Sequence, residues 1–558
     1  MKSHMVHQFS QIPQANIPRS HFARPSSYKT TFDAGYLVPF FLDNALPSDT
    51  FSLTSKFLVR FASPLIAPIM DNLYCDVFFF AVPYRLLWDN WQRFCGERVS
   101  PDDVYNGSIP QVRFDATVGW THSLLDYFGV PVANLKKHSA QGTFMQVNAL
   151  PFRAYNLIYQ TWFKDENLQD APVLYTGDAV QNIGAYPLRR RGKRHDYATS
   201  CLPWPQKGPE SIISIGGLAP VAGNGQALGL QFMDQSGSSH FGLATINGSS
   251  GAVPSVSFSG LASATIGSNP VGNVPSGASR TFKANSSVGV TTRRDGSSGL
   301  IADLSAVNPI PINDFRRAVA LQHWYEALAR GGSRYREICR AVFGAVSPDA
   351  RLQIPEYLGG GSFPIDFKTV EQTSATASSS DTPQGNLAAF GIGSDVIGFN
   401  KSFTEHCLII GLLSVRADLT YQQGLDRMWT QSTLEDFYWP QFAGLGEQAV
   451  RSGEIYCDGS AADDEVFGYQ ERYAEYRYKP SRITGLLNSE VDQPLDAWHL
   501  AQSFASRPVL NSSFIEDNPP IDRVVAVPSE PHFILDSFHD LDCARPMPLY
   551  GVPGLTRF

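Results

Sequence analysis

The sequence predicts a mainly β protein with large loops and some helical insertions, and three features predict it. Glycine and proline are abundant, at 46 and 38 of 558 residues, and both suit turns better than long helices. Aromatic residues make up 12% of the chain and favour strands. The stretch TFSLTSKFLVRF at 50–61 alternates apolar and polar side chains, which is typical of a strand buried on one face.

Further strands are predicted along the chain, and most of them lie far apart in sequence. They cover residues 36–42, 74–84, 363–370, 408–421 and 466–478. Such wide spacing requires long connections, so we expect large loops and helices between the strands.

Three helices are predicted between the strands. In residues 152–169, aromatic side chains recur every three to four positions, the period of an amphipathic helix. A second helix spans 313–332, with Asn313 as its cap and two glycines at its end. A third follows directly in SRYREICRAVFG at 333–344.

The segment 211–300 is rich in glycine and serine and poor in charge, a composition that by itself permits disorder. Apolar residues nevertheless recur through it, in LQFM, FGLATI and VPSVSFSGL. Flexible linkers lack such spacing, so an ordered insertion that contains strands is the favoured interpretation. The shorter tract at 375–386 is predicted to be a surface loop, and its order stays open.

The formal net charge of −8 opposes a protein that is coated with nucleic-acid contacts, because those need a broad excess of cations. A local basic surface is still compatible with this charge. The N-terminal arm, residues 1–32, carries only cations before Asp33, namely Lys2, Arg19, Arg24 and Lys29. We expect this arm to contact nucleic acid or to be exchanged with a neighbouring chain.

A second basic run follows the first predicted helix. Its cations are Arg189, Arg190, Arg191, Lys193 and Arg194. His195 comes next, and Trp204 lies between two prolines. Cations beside stacking surfaces suit single-stranded nucleic acid. Ion pairs to a neighbouring chain would need the same residues, so both interpretations stay open.

No catalytic, metal or cofactor site is predicted. GLGEQA at 444–449 fits a loose dinucleotide fingerprint but lacks the required strand and helix. His323 and Glu326 form a single pair where a di-metal site needs two. The acids and histidine of 536–543 are predicted to form a structural hydrogen-bonding cluster. The seven cysteines show no zinc-ligand spacing and are expected to be reduced and mostly buried.

We also consider two other function classes, a carbohydrate-binding or carbohydrate-active protein and a single-strand DNA-binding protein. Aromatic residues, Gly/Ser loops and scattered acids would suit a carbohydrate-binding or carbohydrate-active β protein, although no suitably separated carboxylate pair is evident. The net charge opposes a dedicated single-strand DNA-binding protein. The start of the chain does not resemble a signal peptide, and the longest apolar run, 408–413, is too short for a membrane helix. We therefore expect synthesis in the cytoplasm without membrane insertion.

Long strings of the sequence resemble the major capsid protein of the Microviridae, in particular its gokushovirus branch. These strings are ALPFRAYNLIYQTWFKDENLQ at 149–169, KRHDYATSCLPWPQKGP at 193–209 and SPDARLQIPEYLGGG at 347–361. The likeness continues in ARGGSRYREI at 329–338, WPQFAGLGEQAV at 439–450 and PLYGVPGL at 548–555. It covers nearly the whole chain outside 211–300.

The resemblance implies an eight-stranded antiparallel jelly roll of viral capsid type, with one capsid domain over 33–558 in place of several domains. It also implies a virion protein, made in a host bacterium, that forms pentamers and an icosahedral shell of about sixty copies. The expected partners are a circular single-stranded DNA genome, a small basic DNA-packaging protein and a host surface receptor. Segment 211–300 would form a protrusion at the three-fold axes, with Trp204 and His195 anchoring its base or meeting a neighbour.

Overall fold

The computed structural model describes residues 18–209, 312–374 and 384–550, together with Ser211 and short strand segments between 221 and 302. The chain divides into two units, one formed by residues 1–208 and 325–558 and the other by residues 209–324.

The described strands and helices are as follows. The strands are β1 Ser20–Ala23, β2 Ser26–Phe32, β3 Val38–Ala45, β4 Thr50–Phe61, β5 Leu73–Pro83, β6 Gln111–Asp115, β7 Phe144–Asn148, β8 Gln181–Asn182, β9 Val221–Gly223, β10 Leu228–Asp234, β11 His240–Asn247, β12 Ser255–Ser259, β13 Thr265–Ile266, β14 Asn269–Pro270, β15 Val288–Thr292, β16 Leu300–Ala302, β17 Glu356–Glu371, β18 Leu387–Ser402, β19 Cys407–Ala417, β20 Glu447–Arg451, β21 Val466–Glu471 and β22 Phe533–Arg545. The helices are α1 Trp91–Phe94, α2 Leu124–Tyr127, α3 Val132–His138, α4 Leu150–Ile158, α5 Ile312–Arg330, α6 Tyr335–Phe343, α7 Asp349–Leu352 and α8 Ser512–Ile515.

The long strands of the first unit form two antiparallel layers. One layer has the order β2, β22, β4, β18, and the other has the order β3, β19, β5, β17. β1 and β2 both pair with β22 and act as one strand interrupted at Arg24 and Pro25. β17 joins the layers, because residues 356–365 pair with β5 and residues 366–371 pair with β18. This is the strand order of an eight-stranded jelly roll, so the predicted fold is confirmed.

The interior between the layers is apolar and rich in phenylalanine. β4 shows the cause, because Phe51, Leu53 and Phe57 are buried while Ser52 and Lys56 are exposed. This is the alternation that the sequence predicts for residues 50–61. Each fully buried large apolar side chain contributes roughly 1.5–3 kcal/mol.

A second apolar cluster covers the outer face of the layer that contains β5 and β19. Phe80 and Ile410 point into this cluster, where they meet Trp88 and the α4 residues Phe152 and Tyr155. β19 is therefore buried along both faces, which explains its continuous apolar sequence in place of an alternating one. The other layer has no such uniform cover over β4, whose alternate side chains are exposed.

Most predicted elements are present, with shifted ends. The predicted strands correspond to β3, β5, β17, β19 and β21, but β17 begins seven residues earlier, at Glu356, and β21 ends at Glu471. The predicted helix at 152–169 is α4 followed by a single π turn that ends at Phe163. α5 and α6 confirm the other two helices, but α5 begins at Ile312, so Asn313 lies within the helix and is not its cap. Gly344 ends α6 with a φ of 68°. Three of the eight jelly-roll strands were not predicted, namely β2, β18 and β22.

The cysteines match their prediction, but the predicted cluster at 536–543 does not form, because Asp540 and Asp542 are exposed while His539 points into the interior. All seven cysteines are free thiols, and Cys75, Cys201, Cys407 and Cys543 are buried. His539, on β22, is 2% exposed and forms hydrogen bonds with Ser55 (2.9 Å) and Ser537 (3.1 Å). Burial lowers the pKa of His539 to about 4, so this imidazole is neutral at physiological pH.

The second unit contains its own strands. β10, β11, β12 and β15 form an antiparallel sheet in the order β12, β11, β10, β15. Two further pairs are β13 with β14 and β9 with β16. The segments between these strands lie outside the described residues, as do residues 375–383 of the predicted surface loop.

We expect Gly398→Ala to destabilise the jelly roll by about 1–3 kcal/mol, the usual cost of overpacking a core. A Cβ at Gly398 in β18 would overlap the carbonyl oxygen of Leu53 in β4. The measurement is the thermal unfolding midpoint of the full chain. Gly177→Ala is the matched control, because an added Cβ there has no heavy atom within 4 Å. Equal midpoints for both variants would contradict the close approach of β18 to β4.

Candidate functional site

The basic run at 189–194, called here the cationic segment, lies between two other stretches of the first unit. Four backbone hydrogen bonds hold it, from Leu37 N to Arg189 O (2.9 Å), from Arg191 N to Gly35 O (2.7 Å), from Lys193 N to Ile515 O (2.7 Å) and from Asp517 N to Arg191 O (2.8 Å). The segment therefore runs as an extended ribbon paired on both edges, which is not the behaviour of a solvated loop.

Gly35 shows how closely these stretches approach one another. Its φ is 79°, a left-handed conformation that favours glycine. A Cβ at this position would also overlap the carbonyl oxygen of Asp517. The contact between residues 35–37, the cationic segment and Asp517 thus depends on the absence of a side chain at one position.

Arg191 forms a buried ion pair with Asp76 of β5, and Arg416 of β19 binds the same carboxylate. The Arg416 Nη2 to Asp76 Oδ2 distance is 2.8 Å, and Arg191 Nη1 also donates to Asp76 Oδ2. Burial opposes ionisation of Asp76, but the charges of Arg191 and Arg416 outweigh burial and hold its pKa below the usual range. Burial, with repulsion from Arg416, lowers the pKa of Arg191 to about 10. Asp76 and Arg191 therefore both remain charged near neutral pH.

The other arginines of the cationic segment also bind within the chain. Arg190 donates to the carbonyl oxygen of Asp517 (3.0 Å) and to Asn518 (2.7 Å), and its guanidinium lies 4.2 Å from the Tyr36 ring centroid. Arg194 pairs with Asp418 at 3.2 Å. Arg189 lies over the Tyr159 ring at 5.4 Å. Arg190 and Arg194 thus use their donors within the chain, whereas among the described residues the Arg189 guanidinium contacts only an aromatic ring.

Lys193 and Asp517 are two further buried charged groups of the region, at 8% and 1% exposure. Lys193 Nζ donates to Gln502 (2.8 Å) and lies 4.4 Å from the Phe514 ring centroid. Burial lowers the pKa of Lys193 to about 8. Burial raises the pKa of Asp517 to about 6, although the nearby cations Arg416, Lys193, Arg191 and Arg190 oppose this. Asp517 is 1% exposed, so its charge is balanced only by neighbours in the same cluster.

A cleft of about 790 Å³ opens beside the cationic segment and combines aromatic with charged side chains. Phe78 and Trp162 supply apolar walls. Lys164 pairs with Glu166 at 2.8 Å, and Arg334 pairs with Glu166 at 3.2 Å. Arg334 also pairs with Glu337 at 3.0 Å, so both cations are held in ion pairs within the chain.

The predicted basic arm is part of the jelly roll from residue 20 onward. Arg19 donates to Thr50 and to the carbonyl oxygen of Ala544, and Arg24 binds Asp43 at 2.5 and 3.2 Å. Lys29 pairs with Asp536 at 2.6 Å. Lys2 lies outside the described residues.

His195 and Trp204 occupy different environments from the cationic segment. His195 is exposed, and Trp204 is half-buried. DNA binding by the arm and the cationic segment, and anchoring by His195 and Trp204, stay predictions.

Sequence reasoning missed the acids that organise this site, Asp76 and Asp517, and the arginine that shares Asp76, Arg416. One signal was present. Asp76 is a single acid within the apolar run YCDVFFFAVPY, and a buried carboxylate requires a cationic partner. Asp517 carries no such signal, because its surroundings read as a polar loop.

None of the described histidine, cysteine, aspartate and glutamate side chains form a group able to hold a metal ion. Among the helices that the structure describes, none combines the length and apolarity needed to cross a bilayer.

Comparison with known proteins identifies close relatives along the whole chain. Residues 10–555 match the family model described as capsid protein (F protein). The chain is 42% identical to capsid protein VP1 of Bdellovibrio phage phiMH2K, over 99% of this chain and 98% of that protein. It is 43% identical to capsid protein VP1 of Chlamydia phage 1, over 100% and 99%. Its identity to capsid protein VP1 of Spiroplasma virus 4 is 35%, over 99% and 98%.

We expect Arg191→Ala to destabilise the full chain by about 1–3 kcal/mol, because Asp76 loses one buried charged donor while Arg416 remains bound to its carboxylate. The side chains of Arg191 and Asp76 are 14% and 7% exposed, so water cannot replace the lost partner. Thermal unfolding of the purified chain measures the effect. Arg98→Ala, at an exposed position, should change stability by no more than about 0.5 kcal/mol. An Arg191→Ala chain as stable as the wild type would show that the pair does not hold the fold.

Proposed function

Since this chain belongs to the phage capsid F protein family, we propose that about sixty copies of it form an icosahedral shell around a circular single-stranded DNA genome. The chain is a major capsid protein of a Microviridae phage and a component of its virion. The copy number, the genome and the further partners are the features that we propose. The observation that carries it is the match over residues 10–555, together with the jelly roll that those residues form.

The composition supports a protein that is largely covered by its neighbours. Only 17% of residues are charged, against roughly 25% in soluble domains. Charged residues are depleted where protein surfaces meet, so a shell subunit with several neighbours needs fewer of them. The relatives are named as capsid proteins, which supports a structural role over a carbohydrate-active one.

The charge distribution suggests how the genome is neutralised. The chain has a net charge of −8. The cations of the cationic segment pair with Asp76 and Asp418 or lie near the buried Asp517. We therefore propose that this segment connects stretches within the subunit and does not bind DNA. DNA contact is proposed for the arm, at Lys2 and Arg19, and most neutralisation is proposed for a separate small basic packaging protein. Synthesis in the host cytoplasm and assembly through pentamers are part of the same proposal.

The insertion at 211–300 is proposed to form a protrusion at the three-fold axes and to meet a receptor on the bacterial host. Its composition supports this, because a segment with few charges avoids like-charge repulsion where three copies meet. The strands β10, β11, β12 and β15 give it a sheet of its own. Trp204 and His195 precede this insertion in the chain and are the proposed base of the protrusion.

Expression of the full chain with the other structural proteins of its phage should give uniform closed shells in the electron microscope. Particles from infected cells should contain circular DNA that resists DNase until the shell is opened and is then degraded by a nuclease specific for single strands. A stable monomer that never forms closed particles would refute the shell, and double-stranded contents would refute the proposed genome.

Deletion of residues 215–295 should leave the jelly roll folded and lower adsorption of particles to host cells at least tenfold. The reason is that β9 to β16 pair only with one another among the described strands. Circular dichroism and particle yield report folding, and the fraction of particles bound to cells reports attachment. Normal adsorption by the deleted particles would contradict the proposed receptor contact.

A further inference from the structure

One stretch of the first unit exposes an unusual number of large apolar side chains. Within residues 425–445, Trp429 is 67% exposed and Leu434 is 64% exposed. The surface formed by Met428, Trp429, Phe437, Tyr438, Trp439 and Tyr476 is called here the aromatic surface. The DNA contact and the protrusion proposed for this chain do not involve this surface.

Contacts between two stretches make this surface continuous. Gln431 donates to the Tyr476 hydroxyl at 3.4 Å, and the rings of Tyr438 and Tyr476 are 6.5 Å apart. Lys479 pairs with Asp426 at 3.2 Å. Residues 426–439 and 476–479 therefore lie side by side, and both stretches expose large apolar side chains.

The loop that carries the aromatic surface is fixed from beneath. Arg427 donates to the carbonyl oxygen of Ala449 (2.8 Å) and pairs with the buried Glu454 (3.1 Å). Asp436 accepts hydrogen bonds from Ser432 N (2.9 Å) and Thr433 N (2.7 Å), and these bonds lower its pKa to about 2. These polar contacts fix the conformation of the loop, and its apolar side chains remain exposed to water. A preorganised surface binds a partner at lower entropic cost than a flexible one.

The size of the patch matches a protein interface. Its six side chains are each about half exposed or more, so at about 100 Å² apiece they offer roughly 600 Å². This equals the upper range of roughly 300–600 Å² for the largest patch on a monomer. It also supplies most of the roughly 800 Å² that each partner contributes to a standard interface.

The charges around the patch indicate the class of partner. Arg472 pairs with Glu435 (3.6 Å), and Arg477 pairs with Glu471. Lys479 and Arg482 share the carboxylate of Asp426. The four rim cations thus face three carboxylates, which leaves little net attraction for a polyanion such as DNA. Aromatic residues, methionine and arginine are the types enriched in the centres of protein interfaces. The geometry therefore favours a protein surface as the occupant.

We propose that the aromatic surface is a contact with a second copy of this chain, with Trp429, Phe437 and Trp439 at its centre. The contact rests on the proposed shell, in which copies of this chain are the neighbours always present. Buried aromatic anchors of this kind carry most of the binding energy in protein interfaces. Loss of the three anchors therefore blocks assembly without disturbing the subunit.

The test is the full chain with Trp429→Ser, Phe437→Ser and Trp439→Ser, which leaves Arg427 and Asp436 in place. Sedimentation velocity should show at least a tenfold loss of assembled particles, with circular dichroism and the unfolding midpoint unchanged. The matched control carries Trp429→Phe, Phe437→Leu and Trp439→Phe, which keep the patch apolar, and should assemble within about twofold of the wild type.

A second measurement does not depend on mutation. Hydroxyl-radical labelling of Met428, which is 48% exposed in the subunit, should fall at least fivefold when wild-type subunits assemble. Normal assembly of the serine variant, or unchanged labelling of Met428, would overturn the contact. A serine variant that assembles normally but loses its DNA or another phage protein would likewise overturn it and identify a different occupant. A wild-type chain that never assembles would instead refute the proposed shell and this contact with it.

Discussion

The buried carboxylate of Asp76, shared by Arg191 and Arg416, is the constraint around which the first unit is organised. It joins β5, β19 and the cationic segment, three parts of the chain that are distant in sequence. Removal of a charge from water costs several kcal/mol, so each of the three groups requires the others to be in place. The cationic segment in turn pairs with residues 35–37 and 515–517. One ionic contact thus fixes where several separately encoded stretches meet on the layer of β5 and β19.

The two layers of the jelly roll differ in whether their outer faces are buried. This difference determines which strands could be predicted from the sequence. β4 is exposed on one face, so its alternating pattern identified it. β19 is buried on both faces, so its apolar run identified it. β18 was missed because Gly393 and Gly398, which allow the close approach of neighbouring strands, look like loop residues. β22 was missed because its inward Ser537 and His539 interrupt the apolar pattern, although each is satisfied by a hydrogen bond inside the barrel.

The candidate site illustrates a limit of local pattern. Five cations within six residues have the composition of a nucleic-acid site, and nothing nearby in sequence suggests otherwise. The acids that bind them lie more than a hundred residues away, as with Asp76 and Asp418. Only three-dimensional proximity distinguishes a basic run that faces a ligand from one that holds the subunit together. The single acid inside an apolar strand was the one local sign of the second arrangement.

The position of β22 has a consequence for how the protein is made. This strand lies between β2 and β4, yet it comes from residues 533–545, near the end of the chain. At about 5–20 residues per second, a ribosome needs on the order of a minute to reach it, and until then β2 and β4 lack their common partner. Closure of the barrel therefore waits for the synthesis of β22, and a chain that is terminated before residue 533 lacks the strand that would complete it. Synthesis of β22 and competence to assemble are in this way linked by topology alone.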